Sequence, residues 1–303
     1  MSELAVSSDV AIVKPRNVPT ITRPDARLLL RVRSAGLTDP GKVREGNEDQ
    51  FLIAQLLKAL EVKATSLPLP KFQKSEDQSY LFVVADGMGG HAGGQHASAL
   101  AVSSVESFML KTFKWFFECR GKEADELLAE FQSALGQANA RVLSKAAAHP
   151  ELRGMGTTLT LAYSLNDILF VAHVGDSRAY LQRGGALHRL TSDHTLVEDM
   201  VRIGTLRAEE AAQHRWRHVI TNAVGGDSPD IKVEVHKLHL EAGDGLLLCS
   251  DGLTEMVSDE EIGRILADLN EPEEACKCLV DRANQAGGKD NITVILARYE
   301  SAA

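Results

Sequence analysis

Acidic residues stand where extended apolar runs end, and this feature constrains the chain more than any other. Asp86 follows Val83-Val84-Ala85, Asp251 follows Leu247-Leu248-Cys249-Ser250, and each aspartate precedes a glycine. An apolar run that ends in Asp-Gly is typical of a buried strand followed by a tight turn, which places a carboxylate at the strand tip. Carboxylates gathered at strand tips repel one another and lose hydration, so they require a neutralising cation. The pattern therefore predicts a metal centre.

Two further segments add oxygen ligands to this set. Arg44-Glu45-Gly46-Asn47-Glu48-Asp49 precedes one predicted strand, and Lys289-Asp290-Asn291 precedes the last one. The combined set contains neither cysteine nor histidine, and hard cations such as Mg²⁺ and Mn²⁺ prefer oxygen ligands. We therefore expect a magnesium or manganese site.

Composition narrows the class of protein and its partners. With 303 residues, 44% of them hydrophobic, the chain can bury one large core or two small ones. A formal net charge of −9 without a basic run disfavours nucleic acids and anionic membranes. No stretch approaches the roughly 18 apolar residues of a membrane-spanning helix, the N-terminus lacks a signal-peptide stretch, and the cysteines lack disulfide or zinc spacing. We expect a reduced, cytoplasmic monomer without a membrane span.

The order of predicted elements indicates the fold class. Residues 1–29 show no periodicity and are predicted to be a tail or linker, and residues 56–79 an irregular surface insertion. Strands are predicted at 30–37, 50–54, 158–190 (four short ones), 233–240, 245–250 and 291–298. Helices are predicted near 97–108, 127–142, 196–203, 208–214, 259–268 and 272–285. Strand hairpins and helix pairs in separate blocks predict packed antiparallel sheets covered by helices.

Seven short motifs, in chain order, resemble those of the metal-dependent serine/threonine protein phosphatases of type 2C in their compact bacterial form. They are Arg44 to Asp49, Asp86 to Gly90, Gly156-Thr157-Thr158, Gly175-Asp176-Ser177-Arg178, Ser192-Asp193-His194, Asp251-Gly252 and Asp290-Asn291. The motifs span most of residues 30–300, which the resemblance identifies as the catalytic domain. It also implies an α+β fold, a four-layer α-β-β-α sandwich of two antiparallel sheets flanked by helices.

The resemblance assigns the inner metal ligands. In the family, the aspartate matching Asp86 bridges two metal ions, and the carbonyl matching Gly87 binds one of them. The aspartates matching Asp251 and Asp290 hold the second ion. The resemblance implies two tightly bound Mn²⁺ or Mg²⁺ ions, and a water that bridges them and attacks phosphorus directly, without a covalent phosphoenzyme.

Four more residues complete the expected site. By the same resemblance, Glu48 and Asp49 act mainly through metal-bound waters. Arg44 would bind the substrate phosphate, because a planar guanidinium can take two phosphate oxygens at once; the alternative is a surface ion pair. Asp176 would hold a weaker third metal together with Asp251; the alternative is a hairpin turn closed by the aspartate side chain.

Met88 departs from the pattern of many eukaryotic relatives, which carry a histidine two residues after the bridging aspartate. That histidine has been proposed as the general acid for the leaving group. Methionine cannot donate a proton, so the proton must come from a metal-bound water or from another residue.

The polar segment 192–226 is expected to be a flap. We expect Arg178 to bind a carboxylate or carbonyl structurally, and Asp193 and His194 to order the flap. His214 and His218 are spaced as zinc ligands on a helix can be, but no third ligand is apparent, so they are expected to be solvated.

The function implied by the resemblance is hydrolysis of phosphoserine and phosphothreonine in proteins, chiefly the substrates of a serine/threonine kinase. A competing hypothesis is a pseudophosphatase, a binding module that has kept the fold and lost the metals. The presence of Asp86, Asp251 and Asp290 together argues against it. A phosphatase dedicated to one regulator, such as a phosphorylated anti-sigma antagonist, remains an alternative.

Overall fold

The structure, a computed structural model, describes residues 29–68, 70–74, 79–89, 93–111, 122–211 and 213–302. Nearly all of the predicted tail, residues 1–28, lies outside this part of the chain. Among the described helices, none combines the length and the apolar character that a membrane span requires.

Fifteen strands and seven α-helices alternate in blocks along the described residues. The strands are β1 (Leu30–Asp39), β2 (Gln50–Leu56), β3 (Ala59–Glu61), β4 (Phe72–Lys74), β5 (Ser79–Ala85), β6 (Gly87–Met88), β7 (Gly156–Thr157), β8 (Leu159–Leu165), β9 (Ile168–Val174), β10 (Arg178–Arg183), β11 (Ala186–Arg189), β12 (Val224–Gly225), β13 (Glu234–His239), β14 (Gly245–Cys249) and β15 (Ile292–Ser301). The helices are α1 (Gly93–Lys111), α2 (Lys122–Ala148), α3 (Leu196–Arg202), α4 (Ala208–Ala211), α5 (Asp251–Thr254), α6 (Asp259–Asp268) and α7 (Pro272–Gln285).

Two five-stranded antiparallel sheets form the frame of the molecule. One has the order β1-β15-β14-β10-β11, and the other has the order β13-β9-β8-β5-β2. A small sheet of order β12-β7-β6 lies beside the tip of β5, and β3 pairs with β4 in a separate hairpin. The predicted class, antiparallel sheets flanked by helices, is confirmed.

The two strands that lead to the key aspartates are buried on both faces. Successive side chains of a strand point to opposite faces. In β5, Val83 belongs to the core shared with helices α1 and α2, and Val84 belongs to the core between the two sheets. In β14, Leu248 faces the core between the sheets, and Leu247 faces the core shared with α6 and α7. Burial on both faces explains why both runs are continuously apolar and do not alternate with polar residues.

Three differences between the observed and the predicted elements are notable. Asp251 does not sit in a tight turn; it is the first residue of the short helix α5. The 56–79 insertion is not wholly irregular, because β3 and β4 pair within it. Helix α4 ends at Ala211, earlier than predicted. The first difference concerns the predicted metal site, because Asp251, a predicted ligand, lies at the start of a helix.

Candidate metal centre

Seven of the eight predicted site residues line a single cavity of about 770 Å³. They are Arg44, Glu48, Asp86, Gly87, Asp176, Asp251 and Asp290. The eighth, Asp49, is only 2% exposed and is close enough to Asp86 for their charges to interact. The structure thus brings together residues from five distant parts of the sequence.

Two threonines hold the backbone of Asp86. The Asp86 N–H donates to the hydroxyl of Thr158 at 2.9 Å, and the Thr158 N–H donates to the Asp86 carbonyl at 2.8 Å. The Thr157 hydroxyl donates to the same carbonyl at 2.8 Å. These bonds fix the direction in which the β5 tip delivers its carboxylate, so the Gly-Thr-Thr motif has a positioning role.

Gly87 has no room for a side chain. A Cβ at this position would lie 2.3 Å from the carbonyl oxygen of Gly94 and 2.7 Å from that of Glu48. Non-bonded contacts of real Cβ atoms are essentially never this short. The start of α1 therefore packs directly on the backbone that follows Asp86, and this close approach requires glycine.

Asp49 is held by Ser250 on one oxygen only. The Ser250 hydroxyl donates to Asp49 Oδ2 at 2.7 Å and accepts from the Thr293 N–H at 2.9 Å. The other oxygen, Asp49 Oδ1, is buried without a hydrogen-bond partner among the described residues, and so is Asp251 Oδ1. Buried carboxylate oxygens without a donor are costly unless a cation binds them.

Asn291 connects the last predicted motif to the first. Its side-chain N–H₂ donates to the carbonyls of Pro40 and Gly46 at 3.0 and 2.9 Å. Its side-chain oxygen accepts from the Glu48 N–H at 2.8 Å. One amide therefore holds the loop that carries Glu48 beside the start of β15.

The crowding of carboxylates shifts their proton affinities. Burial, with the charges of neighbouring aspartates, holds the pKa of Asp86 and of Asp251 well above the ordinary value. Burial raises the pKa of Asp49 to about 6. Burial and the charge of Asp193 raise the pKa of Asp176 to about 7. Elevated values of this kind mark a site whose charges lack a counter-ion.

These observations fit a hard divalent cation. Among the described residues, one oxygen each of Asp49 and Asp251 is buried without a hydrogen-bond partner, and the cavity is lined by Glu48, Asp86, Asp176, Asp251 and Asp290, whose carboxylates are oxygen donors. Oxygen donors of this type suit Mg²⁺ and Mn²⁺. The residues present therefore fit the ions that the resemblance implies.

Arg44 lies at the edge of the cavity with a side chain that is 55% exposed. One guanidinium nitrogen, Nη2, donates to Asp290 Oδ2 at 2.6 Å. The pKa of Arg44 is raised, chiefly by this hydrogen bond. The guanidinium is permanently charged and lies next to a predicted metal ligand.

Two histidines clamp the turn that carries Asp176. His194 Nδ1 accepts from the Gly175 N–H at 3.0 Å, and the His194 N–H donates to the Gly175 carbonyl at 2.7 Å. His173 Nε2 lies 3.0 Å from the same carbonyl, and its Nδ1 lies 2.9 Å from the Thr160 hydroxyl. Burial lowers the pKa of His173 to about 3, so this ring is neutral. Because both of its nitrogens are occupied, His173 supports the turn and is not a metal ligand.

Arg178 and Asp193 behave as predicted. The Arg178 guanidinium donates to both carboxylate oxygens of Asp193, at 3.0 Å from Nε to Oδ1 and 2.7 Å from Nη2 to Oδ2. His194 also accepts from the side chain of Asn222 at 2.9 Å. The predicted pairing of Arg178 with a carboxylate is confirmed; that Asp193 and His194 order the flap stays a prediction.

His218 is exposed, as predicted, with 46% of its side chain accessible, and it also contacts a carboxylate. Its Nδ1 lies 2.5 Å from Glu255 Oε1, and both side chains line the cavity. His218, Glu255 and Asp251 each offer a ligand atom, and these atoms lie within 4.8 Å of one another. Local sequence carries no signal for this contact, since it depends on how the flap folds back over the start of α5.

Other residues that position the site were present in the motifs but were not singled out. Thr158 and Asn291 belong to the matched motifs, and Ser250 directly precedes Asp251. Their side chains bind backbone groups or a carboxylate and do not enter the predicted ligand set. Adjacency to a predicted ligand was the available signal for Ser250 and Asn291, and membership of a matched motif was the signal for Thr158.

Comparison with known proteins agrees with this geometry. Residues 70–286 match the family model described as protein phosphatase 2C. The chain is 32% identical to the serine/threonine phosphatase Stp of Listeria innocua over 259 residues, 86% of this chain and 92% of that protein. It is 34% identical to the serine/threonine protein phosphatase PstP of Mycobacterium tuberculosis over 272 residues, 90% of this chain and 46% of that protein.

Solved structures lead to the same family. The serine/threonine phosphatase PstP/Ppp of Mycobacterium tuberculosis superimposes with a TM-score of 0.72 at 34% identity, covering 90% of this chain and 100% of that one. The catalytic domain of PstP in complex with two manganese ions gives a TM-score of 0.70 at 32% identity, covering 90% and 100%. The chain therefore belongs to the protein phosphatase 2C family of metal-dependent serine/threonine phosphatases.

Proposed function

We propose that this chain removes phosphate from phosphoserine and phosphothreonine in proteins, by direct attack of water and without a covalent phosphoenzyme. The observation that carries the proposal is the cavity itself. It is lined by the carboxylates of Asp86, Asp251 and Asp290 and by the exposed guanidinium of Arg44. Among the described residues, Asp251 Oδ1 is buried without a hydrogen-bond partner. A phosphate monoester needs both an oriented water and charge stabilisation for its hydrolysis.

The inner ligands are Asp86, whose carboxylate would be shared by two ions, and the Gly87 carbonyl. Asp251 and Asp290 would hold the second ion. When bound, Mn²⁺ or Mg²⁺ ions acidify a water and neutralise charge on the phosphoryl oxygens. The manganese complex of a relative supports two ions, and the unpartnered oxygen of Asp251 supports its role as a ligand.

Three carboxylates have outer roles in this proposal. Glu48 and Asp49 would act through waters that the ions retain. Asp176 would help to hold a weaker third ion together with Asp251. Because the pKa of Asp176 rises to about 7, a nearby cation would favour its charged form at neutral pH.

Arg44 would bind two oxygens of the substrate phosphate. Its Nη2 already lies 2.6 Å from Asp290, so the guanidinium would hold the phosphate against a metal ligand. A fork of N–H donors provides this geometry, which lysine cannot supply.

A cysteine-based mechanism is a poor alternative. Cys276 lies in α7, where its thiol donates to the Ala35 carbonyl at 3.6 Å. Burial raises the pKa of Cys276 to about 12, so the nucleophilic thiolate is scarce. Cys249 is fully buried, and burial raises its pKa to about 12 as well.

The substrates would be phosphoproteins made by a serine/threonine kinase, and the chain would act as a monomer. A single dedicated phosphoprotein is the narrower alternative. The test is turnover of a phosphothreonine peptide by purified protein with Mn²⁺, with Mg²⁺ and with EDTA. We expect activity with either ion, none in EDTA, and unchanged activity in Cys276→Ser. Full activity in excess EDTA, or loss of activity in Cys276→Ser, would overturn the proposal.

A further inference from the structure

Residues 196–219, here called the flap segment, form a loop that is closed at its base. The Leu196 N–H donates to the Val219 carbonyl at 2.8 Å, and Thr195 forms an isolated bridge with Ile220. The Thr221 N–H donates to the His194 carbonyl at 2.8 Å. The two ends of the flap segment are thus tied to each other and to the residues that clamp the Asp176 turn.

The last turn of the flap segment lies at the mouth of the cavity. His218, with its Nδ1 2.5 Å from Glu255 Oε1, anchors it there. His218 and Ile220 both line the cavity. The residues directly before His218 are therefore held next to the cavity.

An unusual tripeptide precedes this anchor. Arg215, Trp216 and Arg217 are all exposed, the indole by 40%. The Arg215 guanidinium lies 4.4 Å from the centre of the Trp216 ring. In the part of the chain that the structure describes, neither arginine has an ion-pair partner. By contrast, Arg202 and Arg207 of the same flap segment pair with Asp199 and Glu210.

Charge makes this tripeptide stand out. The chain has a net charge of −9, and the cavity beside it is lined with aspartates. An anionic segment of a substrate would be repelled by most of this surface and attracted where unpaired arginines stand. A guanidinium stacked on an aromatic ring is already ordered, so it loses less entropy when it binds a carboxylate or phosphate.

We propose that Arg215, Trp216 and Arg217 bind an anionic stretch of the phosphoprotein beside the residue being dephosphorylated. The proposal rests on the proposed function and adds a substrate class to it: phosphopeptides with acidic flanks. Arg215 and Arg217 pair with the anionic side chains, and Trp216 packs on the peptide between them. Because consecutive residues are about 3.8 Å apart and Arg217 adjoins His218, these side chains lie within a few residues of the phosphorylated one.

The experiment compares three phosphothreonine peptides that differ only in their flanks, which carry Glu, Gln or Lys. We expect wild-type protein with Mn²⁺ to show a kcat/KM about five- to tenfold higher for the Glu peptide than for the Gln peptide. The double variant Arg215→Ser, Arg217→Ser should lose this preference, and Trp216→Ala should reduce it. Arg207→Ser is the matched control, since it removes an exposed arginine of the same segment that is already paired.

Charge reversal provides a second measurement. The variant Arg215→Glu, Arg217→Glu should prefer the Lys peptide. All these variants should hydrolyse para-nitrophenyl phosphate, which has no flanks, at the wild-type rate. Two outcomes would overturn the flap proposal alone while this activity is retained. One is a wild-type protein without any flank preference, and the other is a double variant whose flank preference is unchanged. If the wild-type protein with Mn²⁺ hydrolyses neither the peptides nor para-nitrophenyl phosphate, the proposed function is overturned, and the flap proposal with it.

Discussion

Replacing Asp49 with Asn is expected to stabilise the metal-free protein at neutral pH. Asp49 is 2% exposed; its Oδ2 accepts from Ser250, and its Oδ1 has no hydrogen-bond partner among the described residues. Burial raises its pKa from the ordinary 3.8 to about 6 in the folded protein. A carboxyl with a higher pKa in the folded state binds its proton more tightly there, so the free energy of unfolding falls as pH rises from about 4 to 6.

The magnitude follows from that difference. The pKa of Asp49 rises by about two units, and each unit corresponds to ~1.4 kcal/mol. The free energy of unfolding is therefore about 3 kcal/mol lower above pH 6. Asn removes the charge and keeps an oxygen that can accept from Ser250. Its amide must then find a partner, at a cost of about 1 kcal/mol. The net expectation is a gain of about 2 kcal/mol at pH 8 and no gain at pH 4.

The assay is urea unfolding of both proteins in EDTA at pH 8 and at pH 4. Asp193→Asn is the matched control: the side chain of Asp193 is only 13% exposed, but its pairing with Arg178 makes its pKa lower than ordinary. Asp193→Asn should therefore destabilise the protein at pH 8. With Mn²⁺, the difference in unfolding free energy between Asp49→Asn and wild type should shrink or change sign, since a bound cation stabilises the folded state of the wild type. An Asp49→Asn variant less stable than wild type at pH 8 in EDTA would refute the reasoning.

Five further substitutions test individual residues. Asp86→Ala, Asp251→Ala and Asp290→Ala should each lower kcat by orders of magnitude, because the attacking water loses its activation; steady-state turnover of a phosphothreonine peptide measures this. Arg44→Ala should raise KM by an amount corresponding to about 1.5–3 kcal/mol of phosphate binding, and unchanged KM and kcat would make the arginine structural. Asp176→Ala should slow turnover of phosphopeptides more than that of para-nitrophenyl phosphate, whose acidic leaving group needs little protonation. Equal losses on both substrates across a Mn²⁺ titration would exclude a part in leaving-group protonation.

Local signals in the sequence were sufficient for the elements whose ends are capped. Helix α6 spans Asp259–Asp268, as predicted; its N-terminus is capped by the Ser258 hydroxyl, which accepts from the Glu261 N–H. Helix α7 spans Pro272–Gln285, also as predicted, with proline in its first turn. The apolar runs that end at Asp86 and Asp251 placed two carboxylates at strand ends, because a continuous apolar run marks a strand buried on both faces and a charged residue marks where that burial ends.

Local sequence could not predict contacts that form only through tertiary packing. His218 meets Glu255 only because the flap segment is closed at its base and folds over the start of α5. Asp49 was expected near the ions, but nothing in its neighbours showed that Ser250 would satisfy only one of its oxygens. Both features depend on residues far apart in the chain, where spacing along the sequence carries no information.

The most direct test is a titration of Mn²⁺ into metal-free protein, with bound ions counted by calorimetry and phosphothreonine-peptide turnover followed on the same samples. We expect two tight ions per wild-type chain and turnover that rises with the second of them. Asp251→Asn should bind one tight ion fewer and turn over little substrate. Full turnover in the metal-free protein, or in Asp251→Asn with a single ion bound, would contradict a two-metal phosphatase centre.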